Sequence, residues 1–158
     1  MLKFIPVSLI GLAVFFLAFI NPVEVSRPDI ENTTIWQSYE HYKEPVLKDR
    51  LFKHADILPL IQKHAASKVF KTEVLGNSVK GRSLNLLTAG RGKTKVFLWS
   101  QMHGDESTAT MALFDVFNFL AANDENDVFR KFILDSLELN FLPMVNPDGA
   151  EEWKRRSA

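Results

Sequence analysis

The run Lys95-Val96-Phe97-Leu98-Trp99-Ser100-Gln101 passes without a break into Met102-His103-Gly104-Asp105-Glu106-Ser107 and then into a helical repeat of apolar residues. The first part reads as a buried strand. Ala109, Met111, Ala112, Leu113, Val116, Phe117 and Leu120 mark one face of an amphipathic helix expected from Glu106 to Ala122. The cluster Asn123 to Asp127 stops that helix, Val128 to Leu134 predicts a shorter one, and Leu137 to Val145 a further apolar strand. Strand, helix, strand in this order calls for a crossover connection, which defines an α/β sheet with a parallel pair. The second strand runs out at Asn146-Pro147-Asp148-Gly149, a strong signal for a type I turn.

Upstream, Val69 to Leu75 and Ser83 to Ala89 are strand-like and are joined by Gly76-Asn77-Ser78-Val79-Lys80-Gly81-Arg82, so an antiparallel hairpin is expected. Leu51, Phe52, Ile57, Leu58, Leu60 and Ile61 predict a helix from about His54 or Pro59 to Ala66. Residues 27–49 form a lead-in segment with Pro28 and Pro45, and residues 50–158 carry the patterned part of the chain. The segment 1–26 is different. Lys3 precedes an apolar run from Phe4 to Ile20, closed by Asn21-Pro22, which is the layout of a signal peptide. As a helix the run would reach roughly 26 Å against the ~30 Å hydrocarbon core, and no A-x-A site follows, so a signal anchor is the second reading. Either one implies export to the periplasm or the extracellular side, with membrane contact through residues 4–20 where the segment is retained.

Composition narrows the chemistry. With 19 Lys+Arg against 19 Asp+Glu and a pI near 6.9, the chain has no net field to draw a polyanion, which speaks against nucleic-acid partners. It has no cysteine, so disulfides, thiolate zinc sites and cysteine nucleophiles are excluded. Any metal ligands must come from its four histidines and from its carboxylates.

Of those histidines, His103 stands where a strand ends and a helix begins, the place where open α/β sheets collect their ligands. Glu106 follows three residues later, and Gly104 between them permits a sharp turn. An imidazole nitrogen and a carboxylate oxygen can then converge on one cation at the ~2.0–2.2 Å that zinc takes from such donors. Asp105 is a candidate for orienting the His103 ring. The spacing alone does not decide the matter, because His41-Tyr42-Lys43-Glu44 repeats it in the lead-in, where no strand fixes the imidazole and a surface or packing role is expected. His54 and His64 fall on the first expected helix and read as solvated or packing residues.

Three stretches together carry more than any one. Gly76-Asn77-Ser78-Val79-Lys80-Gly81-Arg82-Ser83-Leu84, Gln101-Met102-His103-Gly104-Asp105-Glu106-Ser107 and Pro143-Met144-Val145-Asn146-Pro147-Asp148-Gly149-Ala150 resemble, in order and spacing, the carboxypeptidase A-like zinc metallopeptidases over roughly Glu73 to Arg156. The resemblance implies an N-terminal part of a zinc-carboxypeptidase-like domain, with a mixed central sheet flanked by helices. It also implies that His103 and Glu106 are the first two Zn2+ ligands. The arginine that polarises the scissile carbonyl maps onto Arg155, with Arg156 as the alternative. By the same resemblance a third zinc ligand, a later His, and the general base, a later Glu, are not in this chain, so these residues alone are expected to be inactive.

The implied reaction is zinc-dependent hydrolysis of a peptide or peptide-like amide bond at a chain end. The competing expectations are a zinc amidohydrolase of the desuccinylase or aspartoacylase type, which also has an H-G-x-E strand end, and a non-catalytic binding module on the same fold. The exported leader and Asn146-Pro147-Asp148-Gly149 favour the peptidase over the amidohydrolase.

Overall fold

The computed structural model describes residues 32–157, so the expected signal segment 1–26 lies outside the described residues. Helix α1 spans Asn32–Tyr42 and α2 His54–Ala65; β1 (Phe70–Asn77) and β2 (Ser83–Gly90) form the expected hairpin; β3 is Thr94–Trp99. There follow α3 (Thr108–Ala121), α4 (Asp127–Ser136), β4 (Leu137–Leu142) and α5 (Pro147–Glu152). The strands make one mixed sheet in the order β1-β2-β4-β3, antiparallel except for β3 beside β4, which is parallel as the crossover requires. No described helix is long and apolar enough to cross a membrane.

Strand alternation decides which face is covered. Leu87 and Ala89 of β2, Leu139 and Phe141 of β4, and the partly buried Val96 and Leu98 of β3 point at the helices, where Ile57, Leu60 and Ile61 of α2 and Leu113, Phe114 and Phe117 of α3 meet them. The centre is aromatic. Phe117 makes edge contacts with Phe141 at 5.0 Å, Phe114 at 5.2 Å and Phe70 at 5.3 Å between ring centroids, the arrangement that ring quadrupoles favour. His64 sits inside this cluster, 2% exposed, and its Nε2 has no hydrogen-bond partner among the described residues.

Four expectations are corrected. The segment Lys95 to Gln101 is not a strand buried on both faces. As the edge strand it turns Phe97 and Trp99, each 52% exposed, to the side that no described helix covers. Residues 146–149 form no isolated type I turn; they open α5, with Pro147 in the first helical turn and the Asn146 side chain accepting from the Gly149 amide at 2.9 Å. The lead-in also contains a helix. Tyr39 donates to Asp115 at 3.0 Å, Tyr42 to Asp124 at 2.8 Å and Ser38 to Glu125 at 2.8 Å, so α1 is held by side chains far along the chain rather than by its own apolar pattern. The helix expected from Glu106 begins instead at Thr108, because residues 103–106 are used in the turn that follows β3.

Candidate metal centre

The parallel pairing of β3 and β4 continues past both strand ends. Ser100 N–H donates to Leu142 O at 3.1 Å, Val145 N–H to Ser100 O at 3.1 Å and Asn146 N–H to Gln101 O at 3.0 Å, so the loops that carry the H-G-D-E and N-P-D-G sequences leave the sheet side by side. Gln101 then adopts φ +48°, a left-handed conformation that few non-glycine residues take. Its buried amide supports the turn, donating to Gly104 O at 2.9 Å while accepting from the Thr110 hydroxyl at 2.9 Å. The loop is thereby fixed from beneath.

Above it, the turn closed by Glu106 N–H to His103 O at 3.1 Å brings the two side chains together. His103 Nδ1 lies 2.8 Å from Glu106 Oε2, with the imidazole partly exposed and the carboxylate exposed. The other oxygen, Oε1, accepts from Arg155 Nη1 at 2.5 Å. These two hydrogen bonds, that of His103 first and that of Arg155 second, hold the Glu106 carboxyl below its ordinary range. Of the two arginines singled out in the sequence, Arg155 is the one whose guanidinium reaches the pair. Asp105 does not orient His103: Nδ1 is engaged by Glu106, and Asp105 lies exposed in the wall of an adjoining hollow of about 550 Å³ with Glu106, Trp99, Trp153 and Arg50.

Two glycines let the loops touch. A Cβ on Gly104 would fall 2.0 Å from the Gly149 carbonyl carbon and 2.3 Å from the Ala150 nitrogen, so only a glycine admits α5 at this distance. A Cβ on Gly149 would in turn meet Arg156 O at 2.6 Å. Beyond α5, Trp153 takes φ +55°, and the chain doubles back with Lys154 N–H donating to Gly149 O at 2.9 Å, which brings Arg155 to Glu106.

The hairpin sequence joins the same construction through Asp148. This carboxylate, 3% exposed, accepts from Ser78 Oγ at 2.7 Å, Arg82 Nη1 at 2.7 Å and Lys80 N–H at 3.1 Å. Burial alone would raise its pKa, but the donors from Ser78, Arg82 and the Lys80 amide outweigh it, and the group stays below its usual range. In the sequence Asp148 reads only as part of the Asn146-Pro147-Asp148-Gly149 turn. Its signal was the co-occurrence of a Ser-x-x-x-Arg loop with an Asp to receive it.

The remaining candidates separate cleanly. His41 is exposed, whereas Glu44 is buried and accepts from Asn118 at 3.1 Å, the Val46 amide at 3.2 Å and Lys63 at 3.3 Å, so this second H-x-x-E does not converge. His54 packs with Nε2 2.9 Å from Ser83 O. Among the described residues no group of three His, Cys, Asp or Glu comes together, and His103 with Glu106 is a two-donor set. Its chemistry suits zinc: one imidazole nitrogen and one carboxylate oxygen face each other at an accessible strand end.

Residues 59–156 match the zinc carboxypeptidase family model, and the chain belongs to that family. It is 30% identical over 91 residues to an uncharacterized protein of Zymomonas mobilis, a match covering 58% of this chain and 23% of that one. It is 28% identical over 92 residues to carboxypeptidase M of Mus musculus, covering 54% of this chain and 21% of that one. The fold resembles that of a metallo-carboxypeptidase from Burkholderia cenocepacia, with TM-score 0.62 and 23% identity over 66% of this chain and 30% of that one. It also resembles the carboxypeptidase A of Helicoverpa armigera, with TM-score 0.54 and 16% identity over 78% of this chain and 36% of that one. The matches thus span under a quarter of the curated relatives' lengths.

Proposed function

We propose that this chain supplies part of the active site of a zinc-dependent metallocarboxypeptidase that hydrolyses a peptide or peptide-like amide bond at a chain end. The observation that supports this most is the Glu106 carboxylate shared between His103 and Arg155, which gathers two metal donors and a cationic hydrogen-bond donor at one strand end. In this reading His103 and Glu106 hold Zn2+. The third ligand and the general base are assigned to residues outside those described.

When bound, zinc supplies Lewis-acid polarisation at the strand end. The chain's own residues do the rest of what is assigned here. Arg155 directs a guanidinium N–H at the carbonyl oxygen of the scissile bond, and its hydrogen bond strengthens as negative charge grows there. Gln101 and the Gly104–Gly149 contact keep the His103 turn and the arginine in fixed relation, so little reorganisation accompanies reaction. Residues 1–26 are proposed to carry the protein out of the cytoplasm. A reporter active only outside the cytoplasm, fused after residue 30, tests that part by its activity or silence.

The enzymatic reading is tested with the full-length enzyme and three substrates: a peptide with a free C-terminus, the same peptide amidated, and an N-acyl amino acid. Chelator-sensitive release of the last residue from the free peptide alone is the expected result. Cleavage of the N-acyl amino acid alone would establish an amidohydrolase instead. Binding without turnover of any of the three would establish the non-catalytic module.

A further inference from the structure

We propose, resting on the reading above, that Asp148 and the hairpin loop Ser78–Arg82 form a positioning latch that sets Arg155 against the His103–Glu106 pair. The loop touches none of those three residues. Its effect would pass through α5.

Surface ion pairs cannot by themselves hold Arg155 in place. Its ion pair with Glu106 joins side chains that are 59% and 53% exposed, and solvent screens pairs of that kind until they contribute little. The salt bridges from Lys80 to Glu152 and from Lys53 to Glu151 each involve a solvent-exposed lysine and are screened as well. Asp148 differs in kind. Its carboxylate is buried with three donors, and removing one partner of a buried, hydrogen-bonded charge is far more costly than breaking a surface pair. This cluster therefore fixes where α5 lies.

From Asp148 the constraint runs in two directions over very short distances. The next residue, Gly149, lies against Gly104 and so fixes the turn that bears His103. The Gly149 carbonyl also accepts from Lys154 N–H at 2.9 Å, and Asn146 Nδ2 donates to Arg155 O at 3.4 Å, so the backbone of 154–155 follows α5. A shift of α5 would carry His103 and Arg155 by different amounts. Misplacement by about 1 Å at such a site costs on the order of 100-fold in rate. The latch should thus act on the chemical step and leave ground-state binding largely unaltered.

The test uses Arg82→Ala, Arg82→Lys, Asp148→Asn and Lys80→Ala. Lys80→Ala removes only an exposed pair on the same helix and keeps the backbone donor to Asp148. In the full-length enzyme, Arg82→Ala and Asp148→Asn should lower kcat at least 10-fold with KM within about twofold and bound zinc unchanged. Arg82→Lys should recover most of the loss, and Lys80→Ala should stay within twofold of the parent. Wild-type kcat in a folded Arg82→Ala protein, or a loss carried by KM alone, overturns the proposal. A second readout does not depend on activity: amide hydrogen exchange across 149–156 should rise about 10-fold in Arg82→Ala, while β2 and β4 keep their protection. If the parent enzyme hydrolyses no peptide, the functional reading fails while this exchange result still decides the latch. Unchanged exchange there sinks it.

Discussion

Gly104 and Gly149 meet backbone against backbone, with no room for a methyl group on the first: a Cβ there would lie 2.0 Å from the carbonyl carbon of the second. The loop at the end of β3 and the helix after β4 are therefore one packed unit. Gly104→Ala must push α5 away, or else break the turn that Gln101 supports from below. The expected cost is about 3 kcal/mol, the upper end of what overpacking usually costs, because the atoms met are backbone that cannot yield. Urea unfolding of the variant beside the parent chain measures it, and a change below 1 kcal/mol would show that the two segments can separate freely.

The crossover unit was legible because its physics is local. Val96 and Leu98, the helical repeat from Ala109 to Leu120, and Leu139 with Phe141 each present the period of the element they form. His103 and Glu106 could be picked out because a spacing of three and a glycine suffice to describe their turn. Asn146 to Gly149 was ambiguous for a physical reason, since Asn-Pro-Asp-Gly suits a type I turn and a capped helix start alike. The decision is made by Ser78, Lys80 and Arg82, which hold Asp148 from up to 70 residues away. Helix α1 is not legible in its own sequence for the same reason, because Asp115, Asp124 and Glu125, which hold it, lie far from it along the chain.

Zinc binding should depend on one H-x-x-E and ignore the other. His103→Ala is expected to abolish stoichiometric zinc in the full-length enzyme, and His41→Ala to leave it unchanged, because Glu44 is already engaged by Asn118 and Lys63. Metal analysis after dialysis gives the answer. Equal zinc in both variants would refute the assignment.

The adjacent arginines should behave differently. Arg155→Ala in the full-length enzyme is expected to lower kcat/KM by about two to three orders of magnitude with zinc retained, the usual penalty for losing one donor to a developing oxyanion. Arg156→Ala should cost less than threefold, since it is the Arg155 guanidinium that reaches Glu106. The reverse ranking would move the role by one residue.

His64 makes the fold sensitive to acid. Burial against Phe70, Phe114 and Phe117, with a smaller contribution from the Lys63 charge and an opposing one from Glu44, pushes its pKa down from 6.5 to about 4. The unfolded chain therefore takes up a proton that the folded one refuses. Stability is unaffected by this group above pH 6.5 and falls as the pH drops from there toward 4, by about 2 kcal/mol between pH 7 and pH 5. His64→Leu should remove that loss and cost little at pH 7, because Nε2 has no partner to lose among the described residues. Urea titrations of both proteins at the two pH values isolate the effect as a difference of slopes with pH.

The place of β3 in the sheet has a consequence for the order of events during synthesis. Its hydrogen-bonded neighbour in the described sheet, β4, is delivered only after α3 and α4 have been made. The hairpin β1–β2 can close as soon as it emerges from the ribosome. The ribbon ending in His103 has to wait, with Phe97 and Trp99 uncovered and its backbone groups unpaired, until residues as far as Asn146 are available to bind it. Non-local parallel pairing is slow, and an unpaired apolar strand is the usual starting point for association between nascent chains. The turn that carries His103 and Glu106 thus acquires its shape only once residues 137–146 have been made, later than the hairpin β1–β2.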